Sequence, residues 1–225
     1  MRKGWEDFAG EEKSGDKSLG EVKGFPAGED EAESTPPVTV WARKLSASEA
    51  PRKGALSRLG RELLFLGVRR RFGLELREED LSRGAYGKPF VKDRPDIQFN
   101  ISHSGEYAAC ALTRVPCGLD IQEIRGFRGK RILERTMDEE QQRQILSSAD
   151  PALAFSRLWA EKESIVKLSG EGLSRSFRDL KPPVWRETFE QLPAYTGSIC
   201  AGVPCWISVE EVLPQRLWQA LAREK

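Results

Sequence analysis

The sequence has few of the residues and segments that define several common classes of protein. It contains one histidine, and its four cysteines include no Cys-x-x-Cys pair, so we do not expect a zinc site. No run reaches the roughly 18 apolar residues of a membrane-spanning helix, and the N-terminus has no apolar signal core. We therefore expect a cytoplasmic protein with no membrane segment and with reduced, mostly buried thiols.

Charge is unevenly distributed along the 225 residues, although the net charge is only +1. Residues 1–35 carry ten acids and five bases, a charge of −5, which leaves +6 for residues 36–225. Within residues 43–72, nine Arg and Lys accompany only two Glu. A basic face favours anionic partners such as phosphates, nucleic acid or an acidic protein. Charge alone, however, more often reflects a solvated helix face.

The hydrophobic pattern predicts an α+β protein built from two similar halves. Residues 1–36 are rich in Gly and charged residues, so we expect a disordered segment there. Leucines at spacings of 3, 4 and 3 predict a helix at 51–72, and Asp150-Pro151 is typical of a helix start. Further helices are predicted at 127–135 and 138–148, and strands at 38–41, 97–102, 107–113, 118–124, 184–189, 198–201 and 205–209. Each half then has one long helix and several strands, which indicates two α+β subdomains, residues 37–117 and 118–225, separated by a cleft.

The only histidine lies in a polar run, residues 99–108 (FNISHSGEYA). His103 is flanked by Ser102 and Ser104 and followed by a glycine. An imidazole, two hydroxyls and exposed backbone N–H groups suit a phosphate pocket. A lone histidine is more often structural.

The strand at residues 118–124 (GLDIQEI) contains a carboxylate. Alternation puts Asp120 and Gln122 on the same face. A buried carboxylate is expensive unless it is paired or bound to a metal. The alternatives are a turn cap and an ion pair with an arginine such as Arg125.

A third cluster lies on the helix that follows Asp150. Trp159, Glu163 and Lys167 recur at i, i+4 and i+8 and share one helix face. Taken alone, Glu163 and Lys167 could be an ordinary surface pair. Together with Asp120, however, Glu163 could supply two carboxylates to one magnesium ion, with Lys167 beside the phosphates of the same substrate and His103 and the basic helix holding the rest of a polyphosphate.

Four runs in this order resemble the motifs of the 4′-phosphopantetheinyl transferases of the surfactin-synthetase-activating type. They are Gly87-Lys88-Pro89-Phe90, Asn100-Ile-Ser-His103-Ser104, Gly118-Leu-Asp120-Ile-Gln122, and Trp159-Ala-Glu-Lys162-Glu163-Ser-Ile-Val-Lys167 with Gly170-Glu-Gly172-Leu173. The motifs cover about residues 84–173, and the order of strands and helices extends the resemblance to about 38–213. The family has a glutamate where this chain has Gln122, and the acidic segment 1–36 has no counterpart in it.

The resemblance implies that the chain is a monomeric enzyme of the holo-[acyl-carrier-protein] synthase type. Such enzymes use magnesium to transfer the phosphopantetheine arm of coenzyme A to a serine of an acyl or peptidyl carrier protein, and release adenosine 3′,5′-bisphosphate. The implied fold is a pseudo-two-fold pair of α+β subdomains. The implied magnesium ligands are Asp120, Glu163 and, in doubt, Gln122; the catalytic residues are Asp120, Glu163 and Lys167, with Glu163 or a magnesium-bound water as the base. Coenzyme A contacts would come from these three and from Lys88, Pro89, Ser102 and His103, with Arg52, Lys53 and Arg58 as candidates for the 3′-phosphate.

Two other functions remain open at this point. Gln122 stands where the family has a carboxylate, so the chain could be a degenerate module that binds coenzyme A or a carrier domain without transfer. The run Arg69-Arg70-Arg71 could instead bind nucleic acid, although a nucleic-acid partner is not our expectation because aromatic platforms are nearly missing from the basic run. The sequence does not identify the carrier protein.

Overall fold

A computed structural model describes residues 35–46, 53–127, 129–170, 177 and 180–214. The predicted disordered segment therefore lies outside the described residues except for its last two. The elements are β1 Pro37–Lys44, α1 Ala55–Phe72, β2 Leu81–Arg83, β3 Pro89–Val91, β4 Gln98–Ser104, β5 Tyr107–Thr113, β6 Cys117–Glu123, α2 Lys130–Thr136, α3 Glu139–Ser147, α4 Pro151–Ser169, β7 Trp185–Phe189, β8 Tyr195–Ala201 and β9 Trp206–Glu211. This mixture of helices and sheets confirms the predicted α+β class.

Two principal sheets are packed against each other. The first has the strand order β4-β5-β1-β9 and the second has the order β6-β8-β7, while β2 and β3 form a separate hairpin. Apolar side chains of β1 and β5 share one core with those of β6 and β8. The other face of the first sheet packs on α1, and α4 packs on β6 and β8 of the second sheet. The fold therefore has four layers, helix, sheet, sheet and helix, and β5 and β8 are buried along their whole lengths.

The chain returns to the first sheet near its C-terminal end. Strand β9 pairs in parallel with β1, and Thr39 lies opposite Ser208. Residues that the predicted second subdomain includes therefore complete the sheet of the first half. The division at residues 117 and 118 stays a prediction, and the two halves share this sheet.

Several predicted boundaries shift for local reasons. The sequence pattern predicts no strand between residues 73 and 96, yet this stretch contains β2 and β3, which pair over three residues, too short a run to give an alternating pattern. Helix α1 begins at Ala55 after Gly54, whose φ of 85° is left-handed. The predicted helix at 127–135 starts at Lys130. The two helix starts differ only at element ends, where the sequence signal is weakest.

The structure bears on two further predictions, buried reduced cysteines and no membrane-spanning segment. All four cysteines are free and buried, and burial raises the pKa of Cys117 to about 12. Within the described ranges, no helix combines the length and apolar character needed to cross a bilayer.

Helix α4 lies so close to β6 that only a glycine fits at the contact. A Cβ at Gly118 would lie 1.9 Å from the carbonyl oxygen of Ser164 and 2.5 Å from the backbone nitrogen of Leu168. These are backbone atoms of a helix, so they cannot move aside as a flexible side chain could. Any side chain at Gly118 must therefore push α4 away from the strand.

We expect Gly118→Ala to lower the melting temperature by about 5–10 °C, because overpacking of this kind costs about 1–3 kcal/mol or more. Thermal unfolding followed by circular dichroism measures the change. Gly202→Ala is a matched control, since a Cβ at Gly202 meets nothing within 4 Å. Equal melting temperatures for the two variants would contradict the close contact.

Candidate active site

Strand β6 separates an apolar face from a polar one. Leu119 and Ile121 are fully buried in the core between the two sheets. Gly118, Asp120 and Gln122 alternate with them and lie on the face that α4 covers. The predicted common face for Asp120 and Gln122 is therefore observed, and Gly118 on that face is what allows α4 to approach.

Helix α4 carries the second group of predicted residues. Its start is fixed by Asp150, whose Oδ1 accepts the backbone N–H of Leu153 at 3.0 Å, followed by proline at the first helical position. It ends at Gly170 in the left-handed conformation. Because α4 lies directly on β6, its residues Glu163 and Lys167 come next to Asp120.

Asp120 is the centre of a hydrogen-bond network that joins three elements. Its side chain is only 4% exposed. Oδ1 accepts from Lys167 Nζ at 2.6 Å and from Ser102 Oγ at 2.8 Å, and Oδ2 accepts from Gln122 Nε2 at 2.6 Å. Lys167 Nζ also donates to Ser102 Oγ at 2.9 Å. The alternatives of a turn cap and of a pair with Arg125 are not what the structure has, because Arg125 pairs with Glu123.

Every second residue of the Asn-Ile-Ser-His-Ser run has a structural role. Side-chain oxygens of Asn100, Ser102 and Ser104 on β4 accept the backbone N–H groups of every second residue of β6. The bonds run from Leu119 N to Asn100 Oδ1 at 3.2 Å, from Ile121 N to Ser102 Oγ at 3.2 Å, and from Glu123 N to Ser104 Oγ at 3.1 Å. The edges of the two sheets are thus joined through side chains.

Glu163 is the carboxylate with a perturbed pKa at this site. Burial raises the pKa of Glu163, the neighbouring Asp120 charge raises it further, and Lys167 opposes both effects. Two carboxylates therefore share one nearby ammonium, and the local charge is negative. A place with excess negative charge and oxygen donors is one that a cation would stabilise.

The donor set fits magnesium in type. Asp120 and Glu163 supply two carboxylates, and magnesium usually takes one or two together with water and phosphate oxygens. Among the described residues, no group of three or more His, Cys, Asp and Glu could hold a metal, and the residue that shares the face of Asp120 on β6 is Gln122 rather than an acid. Gln122 presents its amide nitrogen to Asp120, so it would have to turn its amide to offer an oxygen.

His103 is exposed and lines a cleft of about 540 Å³ between α1 and the β2–β3 hairpin. Arg61, Arg83 and Ser57 line the same His103 cleft. Arg61 donates to Glu78 Oε1 at 2.6 Å and Arg83 donates to the carbonyl of Gly87 at 2.9 Å. Two guanidinium groups and an imidazole make this cleft suitable for phosphate.

Two of the three basic residues predicted for the 3′-phosphate are described by the structure, and neither lines this cleft. Lys53 and Arg58 are exposed on α1 or just before it, and neither is among the residues that line the His103 cleft. Arg52 lies outside the described residues. Arg61, one turn further along α1 than Ser57, lines the cleft instead.

Lys88 and Pro89 lie in the β2–β3 hairpin, close to the end of α4. Pro89 lines the His103 cleft. The side chain of Lys88 points elsewhere, and its Nζ donates to the backbone carbonyls of Cys117, Lys167 and Leu168 at 3.1, 2.8 and 3.3 Å. All three ammonium protons are thus used within the protein.

A second cleft, of about 390 Å³, begins at Gln122 and runs along the first half of α4. Phe155 and Trp159 line it together with Phe127, and the three rings form a chain of tilted contacts with centroids 5.2 and 5.7 Å apart. These three rings and Ile132 form the apolar part of this Trp159 cleft, and Glu123 and Arg125 also line it. It suits a flexible, uncharged chain.

The arginine run of α1 is used to hold the protein together. Arg69 pairs with Glu75 and Arg70 with Glu210. Arg71 donates to the carbonyls of Leu112 and Pro37 at 2.7 and 2.9 Å, and burial lowers its pKa to about 10. Each arginine of the run that motivated the nucleic-acid hypothesis therefore donates to a group within the protein.

Comparison with known proteins gives a consistent assignment. Residues 116–202, which contain Asp120, Glu163 and Lys167, match the 4′-phosphopantetheinyl transferase superfamily. The chain is 31% identical over 180 residues to 4′-phosphopantetheinyl transferase Sfp of Bacillus subtilis strain 168, over 69% of this chain and 80% of that protein. This chain belongs to the 4′-phosphopantetheinyl transferase family.

Other relatives carry related names. The psf-1 transferase of Bacillus pumilus is 29% identical over 69% of this chain and 74% of its own length. The L-aminoadipate-semialdehyde dehydrogenase-phosphopantetheinyl transferase of Saccharomyces cerevisiae is 29% identical over 45% of this chain and 41% of its own length. The resemblance recognised from the sequence motifs is therefore confirmed.

Sequence reasoning missed residues that line both clefts. Arg61 and Arg83 are separated by 22 positions and meet only because the β2–β3 hairpin faces α1. Phe127 and Phe155 line the Trp159 cleft from different elements. Phe155 lies four residues before Trp159, so the helical spacing could have found it, whereas the hairpin contact had no local signal.

We expect Glu163→Gln to raise the melting temperature near neutral pH, on the order of 2 °C. A raised carboxyl pKa means that the folded protein binds this proton more tightly than the unfolded one, so stability falls as the pH rises through the two pKa values. Glutamine cannot ionise, so the variant does not lose this stability at neutral pH. Its higher melting temperature should disappear below about pH 4, where Glu163 of the wild type is protonated in both states.

Thermal unfolding from pH 4 to pH 8 measures this difference. Glu187→Gln on β7, an exposed glutamate, is the matched control and should follow the wild type at every pH. A Glu163→Gln variant less stable than the wild type at pH 7.5 would contradict the electrostatic account.

Proposed function

We propose that this transferase moves the phosphopantetheine arm of coenzyme A to a serine of an acyl or peptidyl carrier protein, with magnesium held by Asp120 and Glu163. The observation that carries the proposal is the meeting of Asp120, Glu163 and Lys167 at one buried junction between two clefts of different chemistry. The named relatives carry the same activity in their names. A degenerate binding module would have no need for a carboxylate whose pKa is raised by burial and a second carboxylate beside a lysine.

Each part of coenzyme A has a matching region. The His103 cleft, with Arg61 and Arg83, suits the phosphorylated nucleotide. Ser102, next to His103 on β4, leads to Lys167 and Asp120, where the diphosphate would lie. Gln122 then leads into the aromatic Trp159 cleft, which suits the uncharged arm. The three regions follow one another along β4, β6 and α4 in the order of the three parts of the substrate.

The chemistry is a phosphoryl transfer, in which alignment and neutralisation of charge carry most of the catalysis. The serine oxygen forms a bond to the phosphorus that carries the pantetheine, and the bond from that phosphorus to the bridging oxygen breaks. The leaving group is adenosine 3′,5′-bisphosphate. Bound magnesium would supply a positive charge next to the phosphate oxygens.

The protein's own residues then have separate tasks. Glu163, with its raised pKa, accepts the serine proton on a carboxylate oxygen, because a base works best when its pKa approaches the working pH. The Lys167 ammonium neutralises charge that develops on the leaving phosphate. Asp120 would hold magnesium together with Glu163, and its Oδ1 also accepts from Lys167 Nζ and Ser102 Oγ, so it keeps the Lys167 ammonium beside the place of the phosphates.

The carrier protein is proposed only as a class. Carrier domains of the fatty-acid, polyketide and peptide type present the same serine, so we propose the holo-[acyl-carrier-protein] synthase reaction together with peptidyl carriers. Subdomains 37–117 and 118–225 would provide the nucleotide side and the metal side of this site. A monomer suffices, because every proposed contact comes from one chain.

Asp120→Asn and Glu163→Gln should each reduce transfer by about 10²-fold or more, since each removes a charge that acts in the transition state. The measurement is the gain of phosphopantetheine mass by a panel of fatty-acid, polyketide and peptide carrier domains, incubated with coenzyme A and magnesium. Glu187→Gln should keep wild-type turnover. Because Glu163→Gln is expected to be more stable than the wild type, unfolding would not explain its loss, and near-normal turnover by this variant would refute the site assignment.

Arg61→Met and Arg83→Met should weaken the preference for coenzyme A over 3′-dephospho-coenzyme A by about tenfold each in kcat/KM, as expected for the loss of one charge-assisted contact. Using both substrates isolates the 3′-phosphate, because a structural defect lowers both values equally. Arg70→Met, whose guanidinium pairs with Glu210, is the control. An unchanged preference in both variants would exclude these arginines as phosphate ligands.

A further inference from the structure

One ammonium group lies where the N-terminal half meets the helix and the strand that carry the site. Lys88 comes from the β2–β3 hairpin, and its Nζ donates to the carbonyl of Cys117, the first residue of β6, at 3.1 Å. It also donates to the carbonyls of Lys167 and Leu168 in the last turn of α4, at 2.8 and 3.3 Å. The same side chain therefore binds the backbone of the strand of Asp120 and of Lys167 itself.

We propose that Lys88 is a positioning residue, which fixes α4 against β6 so that Lys167 and Glu163 meet Asp120, and that its ammonium does not bind coenzyme A. This inference rests on the proposed transfer reaction. It differs from what the resemblance implied for Lys88, which was a direct contact with the coenzyme.

Hydrogen-bond capacity supports this assignment. A lysine ammonium has three protons, and the three carbonyl oxygens of Cys117, Lys167 and Leu168 account for all of them. The last carbonyls of a helix have no partner within the helix, so the ammonium satisfies groups that would otherwise be left open. A phosphate could bind Nζ only by displacing one of these carbonyls.

The surroundings of Lys88 support the same role. Its side chain packs on the end of α4, since a Cβ at Gly170 would lie 3.3 Å from Lys88 Cδ. The partial negative charge at the C-terminus of a helix favours a cation. Burial lowers the pKa of Lys88, because the ammonium has been taken out of water, and the three backbone carbonyls replace the hydrogen bonds that water would supply.

The contact has a direct geometric consequence for catalysis. Gly118 allows α4 to touch β6, and Lys88 binds the backbone of both elements beside that contact. Without the ammonium, the last turn of α4 can separate from β6. Lys167 Nζ would then leave Asp120 Oδ1, to which it now lies at 2.6 Å. A small displacement of a catalytic group lowers the rate of the chemical step more than it lowers substrate binding.

The test separates the rate of the chemical step from binding of coenzyme A. Lys88→Met keeps an unbranched side chain against Gly170 and removes the ammonium, and Lys88→Arg keeps a positive charge. The control is Lys92→Met, an exposed lysine directly after β3. We expect kcat of Lys88→Met to fall at least tenfold, with KM for coenzyme A within about threefold of wild type. The kcat of Lys88→Arg should lie between those of Lys88→Met and wild type. Lys92→Met should have the kcat and KM of wild type.

Hydrogen exchange provides a readout that is independent of activity. Backbone amides in the last turn of α4 and the first residues of β6 should exchange faster in Lys88→Met than in wild type, while those of α1 keep their rates. An increase of tenfold or more in KM with kcat retained would overturn the proposal, because it identifies a coenzyme contact. Unchanged kcat and unchanged exchange in folded Lys88→Met would overturn it as well.

Two further comparisons keep the outcome decisive. If Lys88→Met does not fold, Lys88→Arg decides: a lower kcat with unchanged KM supports positioning, whereas a raised KM or fully wild-type kinetics overturns it. If the wild-type protein transfers nothing to any carrier, the proposed function has failed. The exchange rates of α4 and β6 then still test whether Lys88 holds these two elements together.

Discussion

The side-chain hydrogen bonds between β4 and β6 are the constraint on which the rest of the site depends. The two strands lie at the edges of different sheets, and backbone pairing between them would merge the sheets and close the space beside Asp120. Asn100, Ser102 and Ser104 instead accept the N–H groups of β6. The edge of β6 is thereby satisfied, while the alternate residue His103 stays free to face the cleft. The same short run of sequence therefore joins the two sheets and places His103 in the cleft.

At the junction around Asp120, the hydrogen bonds of one carboxylate are complete, whereas the charge of the second carboxylate, Glu163, is not balanced. Every oxygen of Asp120 has a donor, so the carboxylate is rigid. Glu163, in contrast, is held beside a like charge in a half-buried position, which raises its pKa. Stability alone would favour a neutral residue there. A group kept at the expense of stability is typical of a site where function sets the residue.

The sequence predicted the features that depend on neighbouring residues and missed those that depend on contacts between distant segments. Leucine spacing, the Asp150-Pro151 start of α4 and the alternation in β6 are local, and they gave the helices, the strands and the common face of Asp120 and Gln122. The relation of Glu163 to Lys167 also followed from helical spacing. Contacts between distant segments were not accessible in this way. Arg61 meets Arg83 through the packing of a hairpin too short to show a pattern, and the direction of the Lys88 side chain depends on where α4 ends.

Gln122 illustrates a different limit. Its identity departs from the motif, and its face was predicted correctly, yet the sequence could not say which end of the amide faces Asp120. In the structure the amide nitrogen donates to Oδ2. This is the arrangement that a carboxylate neighbour selects, because an amide oxygen in the same place would be repelled. The orientation of Gln122 is thus coupled to the charge that Asp120 experiences.

The parallel pairing of β9 with β1 has a consequence for how the chain is made. Thr39 and its partner Ser208 are separated by 169 residues, so the first sheet gains its β9 strand only after nearly all the described residues have left the ribosome. Until then, β1 presents an unpaired apolar edge, the kind of surface that promotes association between nascent chains. Long-range pairing of this type also slows folding. The first sheet is therefore complete only once β9 has been synthesised.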